Sequence, residues 1–129
     1  MVDQVFITLP VTNIATARAF YQALGWALDP RFGESTCVVV SASIYLMLAT
    51  PEQFAAISSK PMLSPRDGAT ALIALSCASR AEVDDLAKAA IAAGGRSLHD
   101  AEDLGFMYSR AFEDPDGNGF GPFWMDGAA

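Results

Sequence analysis

The residues with the most chemical potential in this 129-residue chain lie near its end, in FEDPDGNGFGPFWM, Phe112 to Met125. Three carboxylates, Glu113, Asp114 and Asp116, fall within four positions there, and Arg110 stands just before them. Carboxylates at such spacing could hold a cation or share a proton. Asp114-Pro115-Asp116-Gly117 is also a strong turn signal, because proline presets φ and Gly117 tolerates φ > 0, so these acids are assigned to a β-turn. Aromatic residues flank the turn on both sides, which predicts a β-hairpin. Its return strand carries Gly119, Gly121 and Pro122, poor strand residues that mark a place where ordinary packing has been given up.

The other candidates are sparse. His99 is the only histidine, in the polar run SLHDAED, and reads as a solvated surface residue. Cys37 and Cys77 sit in apolar strand-like runs and read as reduced core thiols. No Ser-His-Asp, CxxC, Walker or Rossmann pattern is present, and the GNGFG run lacks the preceding strand and following helix of a phosphate-binding loop. Catalytic residues are therefore not assigned, and no cofactor is expected.

Composition narrows the partners. A formal charge of −7 argues against nucleic acid, whose phosphates need clustered Lys and Arg. Hydrophobic residues make up 52% of the chain, yet no apolar run is long enough to span a bilayer, and the start MVDQVFITLP lacks a signal-peptide pattern. A cytoplasmic protein with a small-molecule or protein partner, and no membrane, is expected.

Two similar units organise the sequence into one domain, residues 1–129. Val5, Ile7, Leu9 and Val11 alternate with Phe6, Thr8 and Pro10, giving a strand with one apolar face. Asn13 can cap a helix carrying Ala17, Phe20, Tyr21 and Leu24 at helical spacing, stopped at Gly25. A weak extended segment over 26–32 and strands over 36–41 and 43–50 complete a βαβββ unit. The second half repeats the order: a strand over 71–77, a helix opened by a capping box of Ser79 and Glu82, then three extended segments. Leu9 and Leu75 hold equivalent places about half the chain apart, which suggests an internal duplication. The modules span about 1–50 and 67–129, joined by a linker 51–66 with a possible short helix around 52–57.

This arrangement, with LPVTNIATARAFYQALGW, LIALSCASRAEVDDLAKAAIAAGG and FEDPDGNGF, resembles the vicinal oxygen chelate superfamily of glyoxalase I, extradiol dioxygenases and bleomycin-resistance proteins. The resemblance implies an α+β fold in which two βαβββ modules form a curved mixed sheet, with helices on its convex face and a pocket on its concave face. It also implies a homodimer. Enzymes of the superfamily hold a divalent metal with four side chains, and the matching positions here are Phe6, Met47, Leu72 and Gly121. Phenylalanine, leucine and glycine offer no donor, and a thioether suits copper(I) rather than zinc, magnesium or manganese. No metal is expected.

Strand alternation assigns the pocket lining. Phe6, Thr8, Tyr45, Met47 and Leu72 should face it, joined from the last hairpin by Phe106, Tyr108, Arg110, Gly121 and Phe123. Such a lining suits a small aromatic or hydrophobic molecule. Arg110 would stand opposite Gly121 and anchor a polar group of the ligand, or else pair with Asp103, Glu113 or another local acid. A metal-free binder is the favoured function, against a metal-dependent lyase or dioxygenase with displaced ligands and a structural or regulatory dimer with no ligand.

Overall fold

The computed structural model describes residues 1–33 and 36–127. The first module runs β1 (Val5–Pro10), α1 (Ile14–Ala23), β2 (Ala27–Leu28), β3 (Cys37–Val39) and β4 (Ile44–Ala49). After α2 (Pro51–Ser58) come β5 (Ile73–Ser76), α3 (Arg80–Ala92), β6 (Arg96–Asp103), β7 (Met107–Glu113) and β8 (Gly119–Met125). Each module builds its own four-stranded mixed sheet, ordered β1-β4-β3-β2 and β5-β8-β7-β6. The first strand of each runs parallel to the last and occupies an edge.

Local chemistry explains the helix boundaries. The Asn13 side chain accepts the Thr16 N–H at 3.0 Å, and Ser79 accepts that of Glu82 at 3.1 Å. Glu82 reaches back to the Ala78 N–H rather than to that of Ser79, so the expected box closes one residue early. The linker helix α2 has a complete capping box between Thr50 and Gln53, with Pro51 at its first turn.

One core serves both modules. Leu9, Val11, Leu46, Leu48 and Leu75 point into it, as the period-2 pattern requires. Phe20 and Tyr21 of α1 meet aromatic residues of the second module: Phe20 lies 6.4 Å from Phe112 and Tyr21 5.9 Å from Phe120, centroid to centroid. Phe112 and Phe120 stack on each other at 5.4 Å. Burial of these rings supplies much of the apolar area that holds the halves together.

The DPDGN turn supplies the polar half of that joint. Asp116 Oδ1 accepts both the N–H and the hydroxyl of Thr12, at 3.0 and 2.8 Å. Asp114 Oδ2 accepts the Tyr21 hydroxyl at 2.6 Å, and the Asn118 amide donates to Pro10 O at 3.0 Å. Gly117 takes φ +103°, and a Cβ there would also lie 2.9 Å from Pro65 O, so the turn requires glycine twice over. Asp114 and Asp116, two of the three carboxylates that looked capable of chemistry, are committed to folding.

Candidate functional site

Sheet pairing fixes which side chains share a face. In the first sheet Phe6 pairs with Tyr45 and Thr8 with Met47, all on the side away from Leu46 and Leu48. The structure therefore brings four of the ten expected residues together. Phe6 and Tyr45 stack with centroids 4.4 Å apart and planes 5° apart, and Phe6 remains 44% exposed. Phe32, which pattern reading did not single out, closes one side at 6.4 Å from Phe6. The Arg31 guanidinium lies 5.9 Å over the Phe32 ring and is held by Asp29 at 2.6 Å. The result is an aromatic shelf with a cation at its margin.

The last hairpin departs from expectation. Glu113 pairs with Gly119, Phe112 with Phe120, Ser109 with Phe123 and Tyr108 with Trp124. Five residues, 114–118, separate the first paired positions, so residues sharing a face have the same parity. Gly121 and Phe123 lie with Ser109 on the face away from the core, whereas Tyr108 and Arg110 lie with Phe112 on the face that α3 covers. The expected juxtaposition of Arg110 with Gly121 is corrected by this one-residue change of register. Arg110 Nε instead donates to Asp84 Oδ1 of α3 at 2.5 Å, and the Tyr108 hydroxyl donates to the same oxygen at 2.6 Å. Arg80 lies over both Tyr108 and Trp124, at 5.2 and 4.9 Å, and pairs with Asp103. This polar cluster ties α3 to its sheet.

Hydrogen bonds from Tyr108 and then Arg110 hold the Asp84 carboxyl below its usual range. A depressed carboxylate contributes stability above its ordinary pKa, and that stability is lost as pH falls through its folded value. Thermal melts over an acid pH series should show wild type losing its advantage over Asp84→Asn as Asp84 protonates. An unchanged gap down to the lowest pH would contradict it.

Leu72 and Phe106 are placed differently again. Leu72 is 69% exposed and precedes β5; its Cδ2 would lie 2.8 Å from a Cβ on Gly119, so that glycine makes room for Leu72. Phe106 is exposed in the turn just before β7. Gly121 faces open space: a Cβ there would meet nothing nearer than Arg110 O at 3.8 Å.

Phe6, Met47, Leu72 and Gly121 do not fit a divalent metal, since three carry no donor and the fourth is a thioether. Among the described residues no group of three or more His, Cys, Asp and Glu comes together. His99 is exposed on β6, its ring Nδ1 2.8 Å from Asp100 O. Both thiols are free, and burial pushes the Cys37 thiol up from its ordinary pKa.

A separate cavity of about 420 Å³ opens between the edge strands β1 and β5, beneath the linker. Thr8, Leu9, Phe54, Leu63, Asp67 and Ile73 are among its walls. Thr8 is the single expected site residue that lines it. No hydrophobic period marks such a cavity, because loop closure builds it.

The β1-α1-β2-β3-β4 order and the clasp from Tyr21 to the DPDGN turn can be set beside known structures. Superposition on a hypothetical protein from S. aureus gives a TM-score of 0.79 at 21% identity, covering 96% of this chain and 95% of that one. A glyoxalase/bleomycin resistance protein/dioxygenase family enzyme from Burkholderia phytofirmans matches at TM-score 0.76 and 18% identity, over 93% and 96% of the two chains. A glyoxalase-related enzyme from Fulvimarina pelagi matches at 0.76 and 22%, over 94% and 87%. The bleomycin resistance protein-like N-terminal family matches residues 4–41. No curated protein matches the chain significantly in sequence. The resemblance to the vicinal oxygen chelate superfamily is thus borne out, and with it the glyoxalase/bleomycin-resistance fold.

Proposed function

We propose that this glyoxalase/bleomycin-resistance-fold protein binds a small aromatic molecule without a metal, and that the Phe6–Tyr45 shelf is where the ligand lies. The observation that supports this reading is the exposed Phe6 ring stacked on the buried Tyr45, at a position that the resemblance matches to a metal ligand of the superfamily's enzymes. A planar ligand extends such a stack at little conformational cost, because Phe6 is already held against Tyr45. Thr8 and Met47 line the same face, and Gly121 leaves the corresponding face of the second sheet open. A charge of −7 draws a cationic ligand by long-range attraction. Bleomycin, the drug named for similar proteins, is an aromatic cation and the first probe to use.

Calorimetric titration of metal-free bleomycin into the wild-type chain and into Phe6→Ala tests the site. The variant should bind roughly tenfold more weakly, as expected for one lost stacking contact with its buried area. Equal affinity would remove Phe6 from the site, and the absence of binding by wild type would remove bleomycin as the ligand. Arg110 no longer belongs to this proposal as an anchor, because Asp84 engages it on the far face.

The proposal includes a cytoplasmic setting, consistent with two free thiols, and a homodimer. Among the described residues β2 and β6 end the two sheets on the sides away from the junction, and pairing between copies would cover those edges. Light scattering should give twice the chain mass, whereas a monomer across a wide concentration range would contradict the dimer. Among the described residues no helix is long and apolar enough to cross a membrane.

A further inference from the structure

The cavity between β1 and β5 has a feature that the aromatic shelf lacks: a pair of backbone groups with no partner among the described residues. Among those residues β1 has one ladder neighbour, β4. Val5 N–H donates to Ser43 O and Val11 N–H to Ala49 O, both at 2.8 Å, so the odd-numbered residues face β4. In a parallel ladder the intervening residues turn their N–H and C=O the other way. Pro10 shows the direction, since its carbonyl accepts the Asn118 amide from outside the sheet. Thr8, two residues earlier, turns both its N–H and its C=O outward at the cavity it lines.

We propose that this cavity binds a small molecule with an apolar body and a cyclic cis-amide (a lactam), whose N–H and C=O leave on the same side and pair with the C=O and N–H of Thr8. A donor beside an acceptor is matched by a lactam; an open-chain secondary amide is trans and points the two groups apart, a carboxylate offers only acceptors and an ammonium only donors. Asp67 on the rim further disfavours an anion. Phe54, Leu63 and Ile73 supply apolar walls, and about 420 Å³ suits a small molecule rather than a folded partner. The unpaired edge gives the ligand its orientation, and linker residues Leu63 and Phe54 add apolar contact. This site differs from the shelf, which is built of side chains on one sheet face, and it stands whether or not the shelf binds anything.

The test uses the full chain labelled with ¹⁵N and two probes, the cyclic amide 4-phenylpyrrolidin-2-one and its cyclic ester counterpart, 4-phenyl-γ-butyrolactone. The amide should shift the Thr8 and Ala71 resonances saturably, and the ester, lacking the N–H, should bind at least about tenfold more weakly. Thr8→Pro deletes the outward N–H at a position where an edge strand tolerates proline, as Pro10 already shows, and should abolish the shifts at Ala71. Ala71→Trp, at an exposed position on the cavity wall, should abolish amide binding by filling the space. Thermal melts confirm that each variant is folded. Saturable shifts with the amide, a weaker ester and loss in both variants support the site. It is overturned by no saturable shift at Thr8 or Ala71, by equal binding of the ester, or by undiminished binding in a folded variant.

Discussion

Asp114→Ala should lower the free energy of unfolding by about 3–5 kcal/mol, among the largest losses expected from a single side chain here. Asp114 is 2% exposed and uses both oxygens. Oδ1 accepts the N–H groups of Asp116 and Asn118 at 2.9 and 2.8 Å, which shapes the turn. Oδ2 accepts the Tyr21 hydroxyl at 2.6 Å and the Asn118 amide at 2.9 Å, which ties the turn to α1 and to the core. Alanine would leave these donors without partners where water does not reach. Burial first, and then the Asp114 charge, push the Tyr21 phenol well above its ordinary pKa, so it remains a proton donor at any working pH. Tyr21→Phe removes one donor and keeps the ring, and should lose only about 1–2 kcal/mol. Urea denaturation of both variants and of the double variant measures this. A loss below about 1 kcal/mol for Asp114→Ala would mean that the turn is not the joint between the modules.

Gly95→Ala is the second large effect, for a steric reason. A Cβ at this position would lie 2.5 Å from Glu113 O, 2.9 Å from Ala90 O and 3.0 Å from Phe20 Cε1. Two of these atoms are backbone, so relief requires the end of α3 to move away from β7 rather than a side chain to rotate. Overpacking of this kind should lower stability by about 2–4 kcal/mol. Gly68, which among the described residues has nothing within 4 Å of its added Cβ, is the control and should change stability by less than about 0.5 kcal/mol. Equal melting temperatures for Gly95→Ala and wild type would show that this close approach is not required.

How far the sequence can be read depends on the range of the interaction. The first strand was legible because Leu9 and Val11 obey a period of two over a single edge strand, and its outward residues Phe6 and Thr8 followed. The DPDGN turn was legible as a turn, since proline and glycine act locally. Its role as a clasp was not, because Tyr21 and Thr12 lie 93 and 104 residues away from the carboxylates they meet. The facing of Tyr108 and Arg110 failed on a local count: a loop of one residue more or fewer inverts every side chain behind it. Asp84 was out of reach as Arg110's partner, since the sequence does not say which helix position will cross above a given strand residue. The junction cavity left no trace, being made by a linker without periodicity and two strand edges that happen to remain unpaired.

The most direct test of the central claim is elemental analysis of the protein as purified, followed by titration of metal-free bleomycin into that protein and into chelator-treated protein. With Phe6, Met47, Leu72 and Gly121 at the four positions, the account predicts no stoichiometric metal, the same affinity in both conditions, and roughly tenfold weaker binding by Phe6→Ala. Binding that is lost on chelator treatment, or about one tightly held metal ion per chain, would contradict it.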